Sequence, residues 1–126
     1  MMKIRIYYYD TDCGGVVYYA NYLKFLEEAR TEYLEKRGAS VPELKKQGIL
    51  FVVARQEIDY KAPSFYGDIL DIDTRVTNIG AAKLEFEYDI KNQKGQLIAK
   101  AKTILVFVDE DLKPKVIPEG IKKKLL

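Results

Sequence analysis

At residue 50 the hydrophobic period of this chain drops from helical spacing to two, and that change fixes most of what it can fold into. Tyr22, Phe25, Leu26, Ala29 and Tyr33 recur at three- and four-residue spacing, which puts them on one face of an α-helix. Lys24, Glu27, Glu28, Thr31 and Glu35 lie off that face. The pattern predicts a helix over residues 21–37 with Gly38 as its C-terminal cap. From residue 50 the period drops to two, the signature of half-buried strands. Residues 50–61 read as one long strand. Leu70, Ile72, Thr74 and Val76 then alternate with Asp71, Asp73, Arg75 and Thr77. Leu84, Phe86, Tyr88 and Ile90 alternate with Lys83, Glu85, Glu87 and Asp89, and residues 97–108 form a last strand. Lys100 and Lys102 fall where they can face those acids across strands. An earlier strand is expected over residues 3–9, with Ile4, Ile6 and Tyr8 on one face. A short helix is expected over 41–47, with Ser40 and Glu43 as a capping box and Gly48 at its end.

The order is strand, helix, then four strands with short links, which favour antiparallel pairing. One helix on one face of such a sheet is an α+β architecture. The 126 residues, 48% of them apolar, suit a single domain spanning 1–126. The wide apolar face of the helix calls for cover by the sheet, and the charged outer face of the sheet is expected in solvent.

Composition then limits the chemistry. The chain has no histidine and one cysteine, Cys13. Ser-His-Asp and Cys-His systems, histidine-ligated zinc and an internal disulfide are all excluded within this chain. Any catalysis must use carboxylates, tyrosines, lysines or backbone dipoles, and no metal or redox cofactor is implied. The net charge is +2 with both signs interspersed, which argues against nucleic acid as a partner. The basic run "IKKKLL" at the C-terminus is expected as a solvated tail. No apolar stretch approaches the ~20 residues of a membrane span, and a signal-peptide centre is lacking, so a cytoplasmic location is the default expectation.

The stretch "YYYDTDCGGVVYYANY", residues 7–22, carries the candidate chemistry. Asp10 and Asp12 have two readings. Aspartates commonly shape turns by accepting nearby backbone N–H groups. Alternatively, a carboxylate here adjoins a glycine turn that leads straight into a helix N-terminus. That end carries unpaired N–H groups and partial positive charge. Such donors hold an oxyanion, while a carboxylate attacks a carbonyl or activates water. Gly14 and Gly15 would let a substrate approach the backbone. Cys13 lacks a histidine partner and has two acids nearby, Asp10 and Asp12, that oppose thiolate formation, so it reads as a small loop residue. Some of Tyr7, Tyr9, Tyr18 and Tyr19 are expected to line a pocket.

This stretch and the helix after it resemble the opening of hotdog-fold acyl-CoA thioesterases of the YbgC and 4-hydroxybenzoyl-CoA thioesterase type. The shared pattern is carried by Asp10, Asp12, Gly15, Val16, Val17, Tyr18, Tyr19, Asn21 and Tyr22. It extends through "FVVARQEIDYKAPSFYGDILDIDTRVTNIG" to "VFVDEDLKPKVIP". The resemblance implies a long helix wrapped by a five-stranded antiparallel sheet and hydrolysis of an acyl-CoA to a free acid and CoA. It implies Asp12 as the catalytic carboxylate, nucleophile or general base, and the Tyr19 backbone N–H as the donor that polarises the thioester carbonyl. Asp10 and Gly15 would shape the loop, and Gly15, Val16 and Tyr18 would meet substrate. Lys61 and Arg55 are candidate partners for the CoA phosphates. Family members dimerise edge to edge and often form tetramers, so a homo-oligomer is expected. A non-catalytic acyl- or CoA-binding protein, with an acyl carrier protein as a partner, is the alternative. The YbgC branch usually has histidine where this chain has Tyr19, whereas the other branch has tyrosine; Ala20 matches the YbgC branch. The acyl group is open between them.

Overall fold

The computed structural model describes residues 2–126. Its strands are β1 (Met2–Arg5), β2 (Leu50–Tyr60), β3 (Ile69–Ile79), β4 (Lys83–Lys91) and β5 (Leu97–Val108). They form one antiparallel sheet in the order β1-β3-β4-β5-β2. Three helices accompany it: α1 (Asn21–Lys36), α2 (Val41–Lys46) and α3 (Glu119–Leu125).

The period-two pattern becomes the two faces of the sheet. Leu84, Phe86, Tyr88 and Ile90 are all buried, and so are Leu70 and Ile72. They share one core with Tyr22, Phe25, Leu26, Ala29 and Leu34 of α1. Each such aliphatic or aromatic side chain contributes roughly 1.5–3 kcal/mol by leaving water. On the opposite face Asp89 is paired in register with Lys100 and Glu87 with Lys102. Lys100 Nζ lies 3.2 Å from Asp89, and Lys102 Nζ 3.5 Å from Glu85. These exposed pairs fix register more than they stabilise.

Several expectations need correction. β1 stops at Arg5, because residues Tyr8–Asp10 form a short 3-10 turn. The Asp10 carboxylate accepts the Tyr7 N–H at 2.9 Å and turns the chain away from the sheet. Tyr8 is therefore exposed instead of sharing a face with Ile4 and Ile6. On α1 Tyr33 is only half-buried, while Leu34 and Arg30 are buried. The basic C-terminal run is not a solvated tail. It is α3, whose Ile121 and Leu125 are buried together with the preceding Ile117. These three apolar residues recur every four positions, so one stripe faces the core and the lysines face outward.

β1 and β2 are the edge strands. β2 pairs with β5 on one side, with a register shift between Val53 and Arg55, and Val52 and Val53 are exposed. No helix among the described residues is long and apolar enough to cross a membrane.

Candidate active site

The loop between β1 and α1 is held by its own backbone. Asp10 is 4% exposed. Besides the side-chain bond to Tyr7, its carbonyl accepts both the Tyr18 N–H and the Asn21 Nδ2–H, each at 2.9 Å. Loop and helix start are thus tied through one residue. Within the loop the Asp12 N–H donates to the Val16 carbonyl at 2.9 Å, and the Gly15 N–H to the Asp12 carbonyl at 3.0 Å. Gly15 sits at φ +81°, a left-handed conformation that favours glycine. Val17 N–H donates to the Ser64 carbonyl at 2.9 Å, which docks the loop on the segment between β2 and β3.

The two aspartates therefore separate. Asp10 is a buried brace. Asp12 is exposed, and its Oδ1 accepts the Gly14 N–H at 2.8 Å. Its second carboxylate oxygen has no hydrogen-bond partner among the described residues. One oxygen shapes the turn and the other is left to face solvent or a ligand.

At the start of α1 the Tyr18 carbonyl accepts the Asn21 N–H at 2.9 Å, and the Tyr19 carbonyl accepts the Tyr22 N–H at 3.3 Å. The N-cap residue is Ala20, which supplies no side-chain cap. Among the described residues the Tyr19 and Ala20 N–H groups have no acceptor. These are the orphan donors of a helix N-terminus, where partial positive charge favours a developing anion.

Beside them is a groove of about 340 Å³ walled by Val16, Val17, Tyr19, Tyr22, Tyr60, Lys61, Ala62 and Pro63. Its floor is anchored by Tyr22, whose hydroxyl bonds to the buried Ser64 hydroxyl. Burial pushes the Tyr22 phenol up, with the Ser64 bond opposing. Burial, and then the nearby Tyr19 phenol, push Tyr60 up as well. Both phenols keep their protons at neutral pH.

Of the residues named from sequence, Val16, Tyr19 and Lys61 meet in this groove. Gly15 forms the turn next to Val16. Tyr18 packs on Tyr19, ring centroids 5.0 Å apart, without lining the groove. Asp12 is joined to Val16 by one backbone hydrogen bond but is not part of the wall. Arg55 lies away from the groove on β2, paired with Glu57. Tyr7 and Tyr9 stack on each other at 6.1 Å outside it. The sequence reading missed Tyr60, whose hydroxyl donates to the Tyr19 carbonyl at 3.1 Å. Its signal was available: an aromatic residue at the outgoing end of a strand, three residues before Pro63 stops pairing. Among the described residues no group of three or more His, Cys, Asp or Glu side chains is placed to hold a metal.

The chain matches the model of the Thioesterase-like superfamily over residues 7–125. It is 39% identical over 119 residues to the acyl-CoA thioester hydrolase YbgC of Escherichia coli O157:H7, covering 94% of this chain and 89% of that one. A 1,4-dihydroxy-2-naphthoyl-CoA thioesterase from Synechocystis superposes with a TM-score of 0.90 at 26% identity, over 98% of this chain and 93% of the other. A thioesterase from Thermus thermophilus, solved with coenzyme A and Zn, gives 0.84 at 29% identity, over 98% and 89%.

Proposed function

This chain belongs to the thioesterase-like superfamily, and on that premise we propose that it hydrolyses an acyl-CoA thioester to the free acid and CoA. Its fold is the hotdog fold of that group: a five-stranded antiparallel sheet around one long helix. The observation that carries the mechanistic reading is the pair of acceptor-free N–H groups at Tyr19 and Ala20, beside a groove and next to a loop that presents Asp12.

In this reading the thioester carbonyl lies against the Tyr19 N–H. The partial charge at the helix start stabilises the oxyanion as the carbonyl carbon becomes tetrahedral. Asp12 takes a proton from water as that water attacks, or attacks the carbonyl itself to give a mixed anhydride that water then opens. In either route the C–S bond breaks and CoA leaves as a thiolate that gains a proton. The relatives' names support an acyl-CoA substrate, and the CoA complex of the Thermus protein supports a CoA site. Gly15, Val16 and Tyr18 shape the approach, and Lys61 at the groove is the better placed of the two basic candidates for a CoA phosphate. Edge-to-edge dimers, or tetramers built from them, are supported by the long open edge of β2 with Val52 and Val53 exposed. A cytoplasmic enzyme acting on acyl-CoA, or on acyl groups held by a carrier protein, fits the same chemistry.

The test is a panel of acyl-CoAs, followed by loss of thioester absorbance, with the intact chain and Asp12→Asn. Turnover by the intact chain alone supports the reading. Equal turnover by a folded Asp12→Asn removes the carboxylate from the mechanism. Acyl-CoA binding without turnover by either leaves a non-catalytic binding protein. In single-turnover hydrolysis in ¹⁸O water, label in Asp12 establishes the anhydride route opened at the Asp12 carbonyl, because general-base attack leaves the Asp12 oxygens untouched.

A further inference from the structure

One wall of the groove does more than enclose it. Tyr60 closes β2, and its hydroxyl donates to the Tyr19 carbonyl at 3.1 Å. Its ring meets Tyr22 at 5.5 Å and Tyr19 at 6.4 Å, both edge-on. Among the described residues the Tyr19 carbonyl otherwise accepts only the Tyr22 N–H, at a long 3.3 Å. On the other side of the Tyr19 α-carbon, the Tyr18 carbonyl is held by the Asn21 N–H at 2.9 Å. Both peptide groups flanking Tyr19 are thus fixed at their oxygens. A peptide group is planar, so fixing its oxygen also fixes the direction of its N–H. The oxygen Tyr60 holds belongs to the peptide that carries the Ala20 N–H. A carbonyl that accepts hydrogen bonds also strengthens the N–H of its own peptide as a donor.

We infer that Tyr60 is a positioning residue for the thioesterase reaction proposed above. Its hydroxyl holds the Tyr19–Ala20 peptide so that the Ala20 N–H keeps its orientation beside the Tyr19 N–H, toward the reacting carbonyl. Helix starts fray because their first groups lack intrahelical partners. With no side-chain cap at Ala20, a tether from the neighbouring strand takes that place. The half-exposed ring leaves the groove accessible while the hydroxyl reaches the backbone.

Tyr60→Phe tests this, since it keeps the ring and removes only the donor. With the acyl-CoA that turns over best, kcat is expected to fall about fivefold, the scale of one neutral hydrogen bond. KM should stay within about twofold, with little change in Tm. A second readout needs no turnover. Amide exchange at Tyr22, which shares the Tyr19 carbonyl, should speed up about fivefold, while the β4 amides stay unchanged. Unchanged kcat with unchanged exchange in the folded variant overturns the inference. So does a loss confined to KM, which would make Tyr60 a groove wall alone. An inactive wild-type chain with faster Tyr22 exchange in the variant sinks the thioesterase reading but keeps the tether. An inactive wild type with unchanged exchange sinks both.

Discussion

The two ends of α1 are built on opposite plans. At the C-terminal end the polar groups are taken up. Gly38, at φ +75°, donates to the Glu35 carbonyl at 3.1 Å, and Ala39 donates to Leu34 at 2.9 Å. That is a Schellman closure. Lys124 Nζ covers the Gly38 carbonyl at 3.1 Å, and Arg37 lies over the Tyr33 ring at 4.2 Å. At the N-terminal end two N–H groups find no acceptor among the described residues, and the N-cap is an alanine. Yet the C-terminal end borders two grooves of about 330 and 400 Å³, walled in part by Tyr33, Arg37 and Thr74. The groove at the N-terminal end, about 340 Å³, falls between them in size. In the mechanism proposed above, unbonded donors next to a carboxylate mark the site, and volume does not.

The comparison breaks first at Asp12. Asp12→Asn keeps an oxygen for the Gly14 N–H but cannot act as a base or nucleophile. It should lower kcat roughly 10²-fold or more with Tm almost unchanged. Asp10→Asn, at the buried brace, should lose less turnover. Comparable losses would mean that loop geometry, not a reacting carboxylate, sets the rate. Next is Tyr19. Tyr19→Pro removes the N–H and should cost about 10²-fold in kcat, whereas Tyr19→Phe should stay within about twofold. A large loss in Tyr19→Phe would assign the role to the phenol.

A third test concerns what anchors the N-terminal end. Tyr22→Phe strands the buried Ser64 hydroxyl and should cost about 1–3 kcal/mol of stability by denaturant unfolding. Ser64→Ala in the same background should recover part of it. The pH axis adds a sign. Burial raises the Tyr22 and Tyr88 phenols, so their stabilisation is complete below the ordinary tyrosine value near 10. As pH rises from there through the folded values, the unfolded chain loses protons first and stability falls. Tyr22→Phe should flatten that alkaline decline. The smallest effect belongs to the other end. Arg37→Ala should cost about 0.5–1 kcal/mol, the scale of an exposed cation–π contact, and leave kcat unchanged. A lower kcat there would tie the large grooves to the reaction after all.

The sheet was legible because its signal is a repeated period. Predicted and observed bounds coincide for β5 and differ by one residue for β2 and α1. Register followed from facing charges. β1 was overextended because Tyr7, Tyr8 and Tyr9 suit a strand by propensity, while a single carboxylate bond from Asp10 to the Tyr7 N–H decides otherwise. α3 was hidden by its lysines, although Ile117, Ile121 and Leu125 keep a four-residue spacing. In the site, the Asp12 turn and the helix start could be read from adjacent residues. Tyr60 offered only an aromatic residue at a strand end; its bond to Tyr19 could not be read, because it joins positions 41 residues apart. Arg55 was named for its charge alone, and its neighbour Glu57 on the same strand face takes that charge up.

Cys13 is exposed and directly follows Asp12. It is also the chain's sole thiol. A colour reagent that captures CoA as it is released will also alkylate or oxidise this sulfur, so each chain adds one equivalent of signal that no substrate produced. The same adduct would sit on the residue beside the carboxylate under study and could slow the enzyme during its own assay. Ultraviolet loss of the thioester band avoids both artefacts, and Cys13→Ser would show how much of any thiol-reagent inhibition arises at this one position.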